Sequence, residues 1–265
     1  MARSKLIEIK DNMSTKDRII LCAAECGGTA ILVFLGCMGC VSSLAAGGSI
    51  PHEQISFTFG LAVMAAIQVF GHVSGAHINP AVTVAAATLG DIPLLQVPIY
   101  FVGQFLGALL GFGLLWVVTP DVHLGNQMVF GVKQPGVCSP VVSPNISAGQ
   151  ACFVEFLLTL ILVLVCCGVW DARNRDKHDS VSLRLGLAVA VLAMAGGPYT
   201  GANMNPARSF VPAMFNGDWQ AHWVYWIGPL AAGFVGGVIY RLIFRKTQSA
   251  SSDTLPEAIA LNQKV

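Results

Sequence analysis

The chain alternates long apolar stretches with short polar links. Between Ile19 and His52 the single charged residue is Glu25, and residues 92–120 and 185–207 carry no Asp, Glu, Lys or Arg. A helix needs about 20 apolar residues to cross the hydrocarbon layer of a membrane. We therefore predict six transmembrane helices, at residues 18–45, 55–73, 94–118, 148–170, 183–200 and 221–244.

Composition supports an integral membrane protein and excludes several other classes. Hydrophobic residues make up 54% of the chain and charged residues 11%, with a mean hydropathy of +0.66. The formal net charge of +1 offers no basic surface for nucleic acid, which we do not expect as a partner. The sequence has no His/Cys cluster with metal-ligand spacing, no phosphate loop and no G-x-S-x-G motif. We therefore expect no enzyme activity, no cofactor and no metal site.

The cysteines fit the same picture, because seven of the eight fall inside predicted spans. There a thiol behaves as a small apolar residue. We therefore expect neither a disulfide framework nor a metal site from Cys22, Cys26, Cys37, Cys40, Cys152, Cys166 and Cys167.

Lys and Arg predict how the chain is oriented. Five precede or open the first span, four surround the link between the fourth and fifth spans, and four follow residue 240, whereas Lys133 and Arg208 lie on the opposite side. The positive-inside rule then makes both termini cytoplasmic. We expect the protein in the plasma membrane. The polar segment Ser4–Asp17 precedes an apolar run too long for a cleavable signal peptide.

A duplication underlies the domain organisation. Three features recur about 125–130 residues apart, and because each half holds three spans, the second half must be inverted relative to the first. The recurring features are Glu25-x-x-x-Thr29 with Glu155-x-x-x-Thr159, Asn79 with Asn205, and Tyr100-x-x-Gly103 with Tyr225-x-x-Gly228. The predicted regions are a cytoplasmic tail 1–17, one membrane domain 18–246 (first repeat 18–118, connecting loop 119–147, second repeat 148–246) and a cytoplasmic tail 247–265.

Two apolar segments outside the six spans each contain an Asn-Pro-Ala triplet, Asn79-Pro80-Ala81 and Asn205-Pro206-Ala207. Asn is a favoured helix N-cap and Pro a favoured first helical residue. Each triplet by itself is read most simply as a cap. Two in register predict a pair of re-entrant half-helices whose N-terminal dipoles meet at the midplane, continuing through Val82–Leu89 and Ala207–Phe215.

The segments Gly71–Val82 and Thr200–Phe210 resemble the two pore loops of the aquaporins, in the major intrinsic protein family. The resemblance covers nearly the whole chain. It implies an all-α membrane protein of the aquaporin fold, with six transmembrane helices, two re-entrant half-helices and an inverted repeat. It also implies a homotetramer with one pore per protomer, and passive flow of water and small uncharged solutes.

The resemblance also implies roles for particular residues. An outer selectivity constriction would be formed by Phe59, Ala193, Ala202 and Arg208. Glu25 and Glu155 would hold the backbone of the pore loops. Asn203 stands where many relatives have Gly or Ser, which leaves the pore width there open. The pore-lining backbone would come from Gly75, Ala76, His77, Ile78, Gly201, Ala202, Asn203 and Met204.

Arg208 is the single charge of an apolar segment, and an intramembrane cation is costly unless it serves a function. The alternative is an arginine that extends to the outer interface. We favour a selectivity role, because Arg208 directly follows the second triplet.

The expected solutes rest on Ala193. Water-selective members that resemble this chain carry a His in this position, and a methyl group in its place widens the pore and makes one wall apolar. We therefore predict a channel for water, glycerol and urea, similar to the insect glycerol-conducting branch of aquaporins. A strictly water-selective channel is the alternative, since the water-channel branch is resembled at Ser209, Ala213, Tyr225 and Trp226.

Two further classes remain open. Glu25 and Glu155 are intramembrane carboxylates, so an ion-coupled transporter is conceivable, although their duplication favours a scaffold. The third class is a closed, adhesive membrane protein, which the small residues Ala193 and Ala202 argue against.

Overall fold

The computed structural model describes residues 12–41, 50–125, 128–129, 132–174, 176 and 179–245. Within these residues the regular secondary structure is helical apart from one antiparallel pair of two-residue strands, β1 (Met128–Val129) and β2 (Val132–Lys133). The helices are α1 (Thr15–Met38), α2 (His52–Ser74), α3 (Pro80–Leu89), α4 (Val97–Val118), α5 (Ala148–Trp170), α6 (Val181–Thr200), α7 (Pro206–Asn216) and α8 (Val224–Ile239). Short 3₁₀ turns lie at Leu94–Gln96, Asp121–His123 and Ala172–Asn174, and a π-helical turn, Tyr240–Phe244, continues α8.

The predicted fold class is confirmed. Six of the described helical segments are long and apolar enough to cross a membrane, and α3 and α7 are the two short helices that follow the Asn-Pro-Ala triplets. The first span begins at Thr15, three residues before its predicted start. Its predicted end, 42–45, and most of both predicted tails lie outside the described residues.

The two halves interlock through equivalent contacts. In the first half α1 packs against α2 and α4, and in the second half α5 packs against α6 and α8. Each half-helix crosses to the other half, because α3 packs on α8 and α7 packs on α4. The two half-helices are therefore held between the repeats.

Glycines on α4 allow the close approach of α1. A Cβ atom added at Gly103, Gly107 or Gly111 would lie 2.6, 2.2 or 2.4 Å from a backbone carbonyl oxygen of α1. The spacing of four residues keeps the three glycines on one face of α4. Small residues at such a contact let the helix backbones pack directly, which is how membrane helices associate without a hydrophobic driving force between them.

The expectation that the cysteines form no disulfide is wrong. Cys37, at the end of α1, is joined to Cys138 in the link between the repeats, with a Cα–Cα distance of 5.2 Å. The two cysteines are 101 residues apart in sequence. They meet because the link folds back over the end of α1, and no local pattern reveals that return. The other six cysteines are free thiols, buried or half-buried.

The glycine contact generates a stability prediction. Gly107→Ala should lower the free energy of unfolding by about 1–3 kcal/mol, because the new methyl group overlaps the Cys26 carbonyl and must push α1 and α4 apart. The measurement is the thermal unfolding midpoint of the detergent-solubilised protein. Gly113→Ala is the matched control on the same helix, since a Cβ there meets no described atom within 4 Å. Equal destabilisation by both changes would contradict the packing argument.

Candidate functional site: an internal pore

An internal cavity of about 90 Å³ runs between the helices and the two loops that precede α3 and α7. Its wall combines side chains of the helices with the backbone of both loops. The four predicted constriction residues and the eight predicted backbone positions all lie on this wall. The loop residues on the wall are Gly75, Ala76, His77, Ile78, Asn79, Gly201, Ala202, Asn203, Met204 and Asn205.

The asparagines of the two triplets cap the half-helices and also join them. The side-chain oxygen of Asn79 accepts a hydrogen bond from the Ala81 N–H at 2.9 Å, and that of Asn205 accepts one from the Ala207 N–H at 3.0 Å. Each amide nitrogen donates across to the opposite loop: Asn79 Nδ2 to the Met204 carbonyl and Asn205 Nδ2 to the Ile78 carbonyl, both at 2.8 Å. The N-termini of α3 and α7 therefore meet.

The prolines and alanines of the triplets have a different position. Ala81 and Ala207 are fully buried, and Pro80 and Pro206 occupy the first helical turns. Of the triplet residues, it is the two asparagines that lie on the cavity wall as described. The contact of Ala81 with α8 is close, since a Cβ added at Gly233 would lie 2.3 Å from the Ala81 carbonyl oxygen.

The Glu25 carboxylate, fully buried in α1, holds the first loop. One oxygen, Oε1, accepts hydrogen bonds from the Ser74 hydroxyl at 2.6 Å and the His77 N–H at 2.9 Å. The other, Oε2, accepts from the Ile78 N–H at 2.7 Å and the Gln104 side-chain amide at 2.9 Å. A carboxylate in a buried site is stabilised when its oxygens accept several hydrogen bonds, and these four supply that condition.

The Glu155 carboxylate holds the second loop in the same way. Oε1 accepts hydrogen bonds from the Thr200 hydroxyl at 2.6 Å and the Asn203 N–H at 2.9 Å. Oε2 accepts from the Met204 N–H at 2.7 Å. Tyr225, equivalent to Tyr100 in the other repeat, donates its hydroxyl to the Thr200 carbonyl. The inverted repeat is thus visible at the level of single hydrogen bonds.

Both loops hold residues in the left-handed backbone region. Ala76 and Ile78 have φ of 45° and 47°, and Ala202 and Met204 have φ of 46° and 53°. Such a conformation is uncommon for residues other than glycine, and most unfavourable for a β-branched residue such as Ile78. Each costs about 1–3 kcal/mol and persists where surrounding contacts impose it. The carboxylates supply those contacts.

Arg208 lies in the first turn of α7, with its side chain buried against the cavity. Its Nη1 donates to the carbonyl of Cys138 at 3.1 Å and to the side-chain oxygen of Asn203. The guanidinium carbon lies 4.6 Å from the centre of the Phe59 ring, a cation–π distance. An arginine that extended to the membrane surface would be exposed, whereas Arg208 is 8% exposed.

Asn203 does not narrow the cavity with a free amide group. Its oxygen accepts hydrogen bonds from Arg208 and from the Ser209 hydroxyl at 3.0 Å, and its nitrogen donates to the Thr200 carbonyl at 3.1 Å. A Gly or Ser in this position could not make all three bonds. Asn203 is therefore a site residue whose contact with Arg208 sequence reasoning missed.

Apart from Phe59 and Ala193, the helical wall of the cavity was not predicted from the sequence. Its residues recur every three or four positions, which is the spacing of one helix face. That signal is present in the sequence, but it becomes informative only when the pore-facing side of each helix is known. The residues are Leu32 on α1, His52, Ile55, Ser56, Phe59, Val63 and Ile67 on α2, Leu162, Cys166 and Trp170 on α5, and Leu185, Val189 and Ala193 on α6.

Comparison with known proteins agrees with this architecture. A model of the family described as Major intrinsic protein matches residues 12–240. The human lens fiber major intrinsic protein is 40% identical over 230 residues, covering 86% of this chain and 82% of that protein. Mouse aquaporin-4 is 37% identical over 224 residues, covering 84% of this chain and 66% of that protein.

A solved structure is similar over most of its length. The X-ray structure of the aquaglyceroporin from Plasmodium falciparum superposes with a TM-score of 0.75 at 26% identity, covering 85% of this chain and 96% of that chain. The chain spans between 56% and 66% of the length of the first aquaporin-4 relatives that it matches. The match to the family model extends over both repeats, both triplets and all six long helices. The chain therefore belongs to the major intrinsic protein family, a family of membrane channels that includes the aquaporins, and is an integral multi-pass membrane protein.

Proposed function

We propose that this protein is a passive channel for water and small uncharged solutes such as glycerol and urea, and that it excludes ions and protons. The observation that carries the proposal is the makeup of the cavity wall around Arg208. Phe59, Ala193 and Ala202 contribute an aromatic ring and two methyl groups, and Arg208 contributes a fixed guanidinium. A polyol presents carbon–hydrogen groups and hydroxyls together, and this wall offers a surface for each.

Exclusion of cations follows from the same region. The N-termini of α3 and α7 each carry about half a positive charge and meet at the two asparagines. The guanidinium of Arg208 adds a full charge on the cavity wall. Asn79 and Asn205 each use one amide N–H on the opposite loop, and the second can donate to a passing oxygen. A water oriented in this way cannot take part in an unbroken chain of proton transfer.

The strictly water-selective alternative rests on Ser209, Ala213, Tyr225 and Trp226, which resemble the water-channel branch. In the described part of the chain these four lie away from the cavity wall. Ser209 donates to Asn203 and to the Asn205 carbonyl, and Tyr225 donates to the Thr200 carbonyl. Ser209 and Tyr225 thus support the second loop, and we give the wall residues more weight in assigning the solutes.

An ion-coupled transporter would need carboxylates that reach the permeation path. Glu25 and Glu155 are fully buried, and among the described residues neither belongs to the cavity wall. Their oxygens accept hydrogen bonds from loop N–H groups and hydroxyls. Protonation during a transport cycle would weaken the bonds that hold the pore loops, which supports passive flow.

The proposal extends to assembly and location. We infer a homotetramer with a pore in each protomer, in the plasma membrane with both termini cytoplasmic. The family resemblance supports the tetramer, and the distribution of Lys and Arg supports the orientation.

The first experiment is stopped-flow light scattering of proteoliposomes exposed to an external glycerol gradient. Fast shrinkage should be followed by fast re-swelling that depends on the protein, because water leaves first and glycerol then enters with water. Protein-free vesicles are the control. Fast shrinkage without re-swelling would mean a water-selective channel.

A substitution at Ala193 tests the assigned constriction. Ala193→His should reduce glycerol permeability by about tenfold or more, since an imidazole would fill space that the glycerol carbons need, while water permeability stays within about twofold. Ala193→Ser is the matched control, because a hydroxyl changes polarity with little change in size. Unchanged glycerol permeability in Ala193→His would mean that the constriction lies elsewhere.

Passive flow is tested separately with imposed gradients. Radiolabelled glycerol should equilibrate across proteoliposomes at the same rate, and to the same final ratio, with or without a pH difference or a potassium diffusion potential. Accumulation above the equilibrium ratio under either gradient would favour the ion-coupled alternative.

A further inference from the structure

The link between the repeats makes a direct contact with the selectivity region. Cys138, in this link, has a left-handed backbone with φ of 63°, and its carbonyl oxygen accepts the hydrogen bond from Arg208 Nη1. The same residue is covalently joined to Cys37 of α1. One residue therefore connects the guanidinium of the second repeat with a helix of the first.

The neighbours of Cys138 are held by the second repeat. The carboxylate of Asp218 accepts hydrogen bonds from the Gly136 N–H at 2.9 Å and the Ser139 hydroxyl at 2.6 Å. The Asn216 amide donates to the Val137 carbonyl at 3.0 Å. Hydrogen bonds near the end of a pore can exchange with water. The disulfide cannot, so it is the permanent attachment of this segment to the first repeat.

Arg208 needs an acceptor that is fixed relative to both repeats. Asn203, its other partner, belongs to the loop that precedes α7 and so shares the position of Arg208 itself. The carbonyl of Cys138 is instead tied to α1, which packs against the helix that carries Phe59. The first repeat therefore contacts the guanidinium twice, through the Phe59 ring and through the disulfide-bound residue whose carbonyl accepts its hydrogen bond.

We propose that the Cys37–Cys138 disulfide is a positioning device for Arg208 and thereby sets the solute selectivity of the channel. Cys37 is fully buried and, in the described structure, neither sulfur atom belongs to a residue of the cavity wall. The disulfide therefore acts through the Cys138 carbonyl and not by contact with solutes. In the proposed orientation the pair faces the extracellular side, where disulfides persist.

The inference rests on the proposed function for the choice of solutes. Without the tether the Cys138 carbonyl is no longer held against Arg208, and the guanidinium moves among several positions. Glycerol fills the aperture and depends on a donor in one place, whereas water is smaller and is slowed less when the guanidinium moves. Loss of the tether should therefore lower glycerol permeability more than water permeability.

The experiment measures both permeabilities in the same proteoliposomes before and after treatment with a phosphine reductant. The phosphine gives two electrons to the S–S bond, and one water molecule supplies the oxygen of the resulting phosphine oxide and the two protons of the thiols. Peptide mass spectrometry without prior reduction verifies the Cys37–Cys138 link and then its complete loss. The ratio of glycerol to water permeability should fall about three- to tenfold, the effect of losing one ordinary hydrogen bond, and should recover on reoxidation. Because this is a ratio, it does not depend on how many pores are folded.

Variants identify the route of the effect. The double variant Cys37→Ser/Cys138→Ser should have the low ratio without reductant and should not respond to it. Serine keeps the backbone carbonyl of residue 138 but cannot form the disulfide that holds it. Cys22→Ser, also on α1, is the matched control and should behave as the wild type. In Arg208→Ala, reduction should leave the ratio unchanged, because the group that the disulfide positions is gone.

Several results would overturn the inference. These are an unchanged ratio after complete reduction, a proportional fall of both permeabilities, or a redox effect that persists in Arg208→Ala. If the variants fail to insert in the membrane, reversible reduction of the wild type is still a test. It distinguishes the expected fall of the ratio from an unchanged ratio and from a proportional fall of both permeabilities.

Failure of the proposed solute range is distinguishable from failure of the tether. An oxidised wild type that carries water but no glycerol would refute the solute range. The tether would then be supported by a redox change in water permeability that depends on Arg208, and refuted by its absence.

Discussion

Two buried carboxylates make the pore possible. In the hydrocarbon layer no water is available to pair with backbone groups, so irregular backbone survives only where protein groups satisfy its N–H and C=O groups. Glu25 and Glu155 do this for the two loops, each accepting hydrogen bonds from two consecutive N–H groups and one hydroxyl. The left-handed residues of the loops, and the asparagines that follow them, depend on these contacts.

The scaffold is nearly symmetric, whereas the selectivity region is not. The carboxylates, the capping asparagines and the tyrosines that donate to loop carbonyls all occur in pairs. Arg208, its partner Asn203 and the disulfide-bound Cys138 are found on the side of the second loop. Duplication thus supplies a stable frame, and unpaired substitutions within it supply the chemistry that distinguishes solutes.

Much of the fold could be predicted because its signals are local. A run of about 20 apolar residues is a spanning helix wherever it occurs, and Asn followed by Pro starts a helix by its own backbone preferences. The duplication was equally predictable, because Glu25 recurs as Glu155 and Asn79 as Asn205 in the second half. The helix boundaries were displaced by a few residues, as at Thr15, where the Ser14 cap begins α1 earlier than the apolar run does.

The candidate site could be predicted in part. The residues expected at the constriction do share one cavity wall, but the stripe on α2, α5 and α6 could not be chosen without knowing which helix face turns inward. Asn203 and Cys138 show why. Each belongs to the site because it accepts a hydrogen bond from Arg208, and Cys138 lies 70 residues from Arg208 along the chain.

The sequence by itself determined the helical membrane fold, the inverted duplication and the two half-helices, since each follows from hydrophobicity, from local backbone preference or from motifs that recur along the chain. The tertiary structure alone decided the Cys37–Cys138 disulfide, the hydrogen bonds from each triplet's asparagine to the opposite pore loop and the placement of the Arg208 guanidinium. These contacts join segments 70 to 127 residues apart. No residue in such a pair carries a local sign of its partner, and only the folded chain brings them within bonding distance.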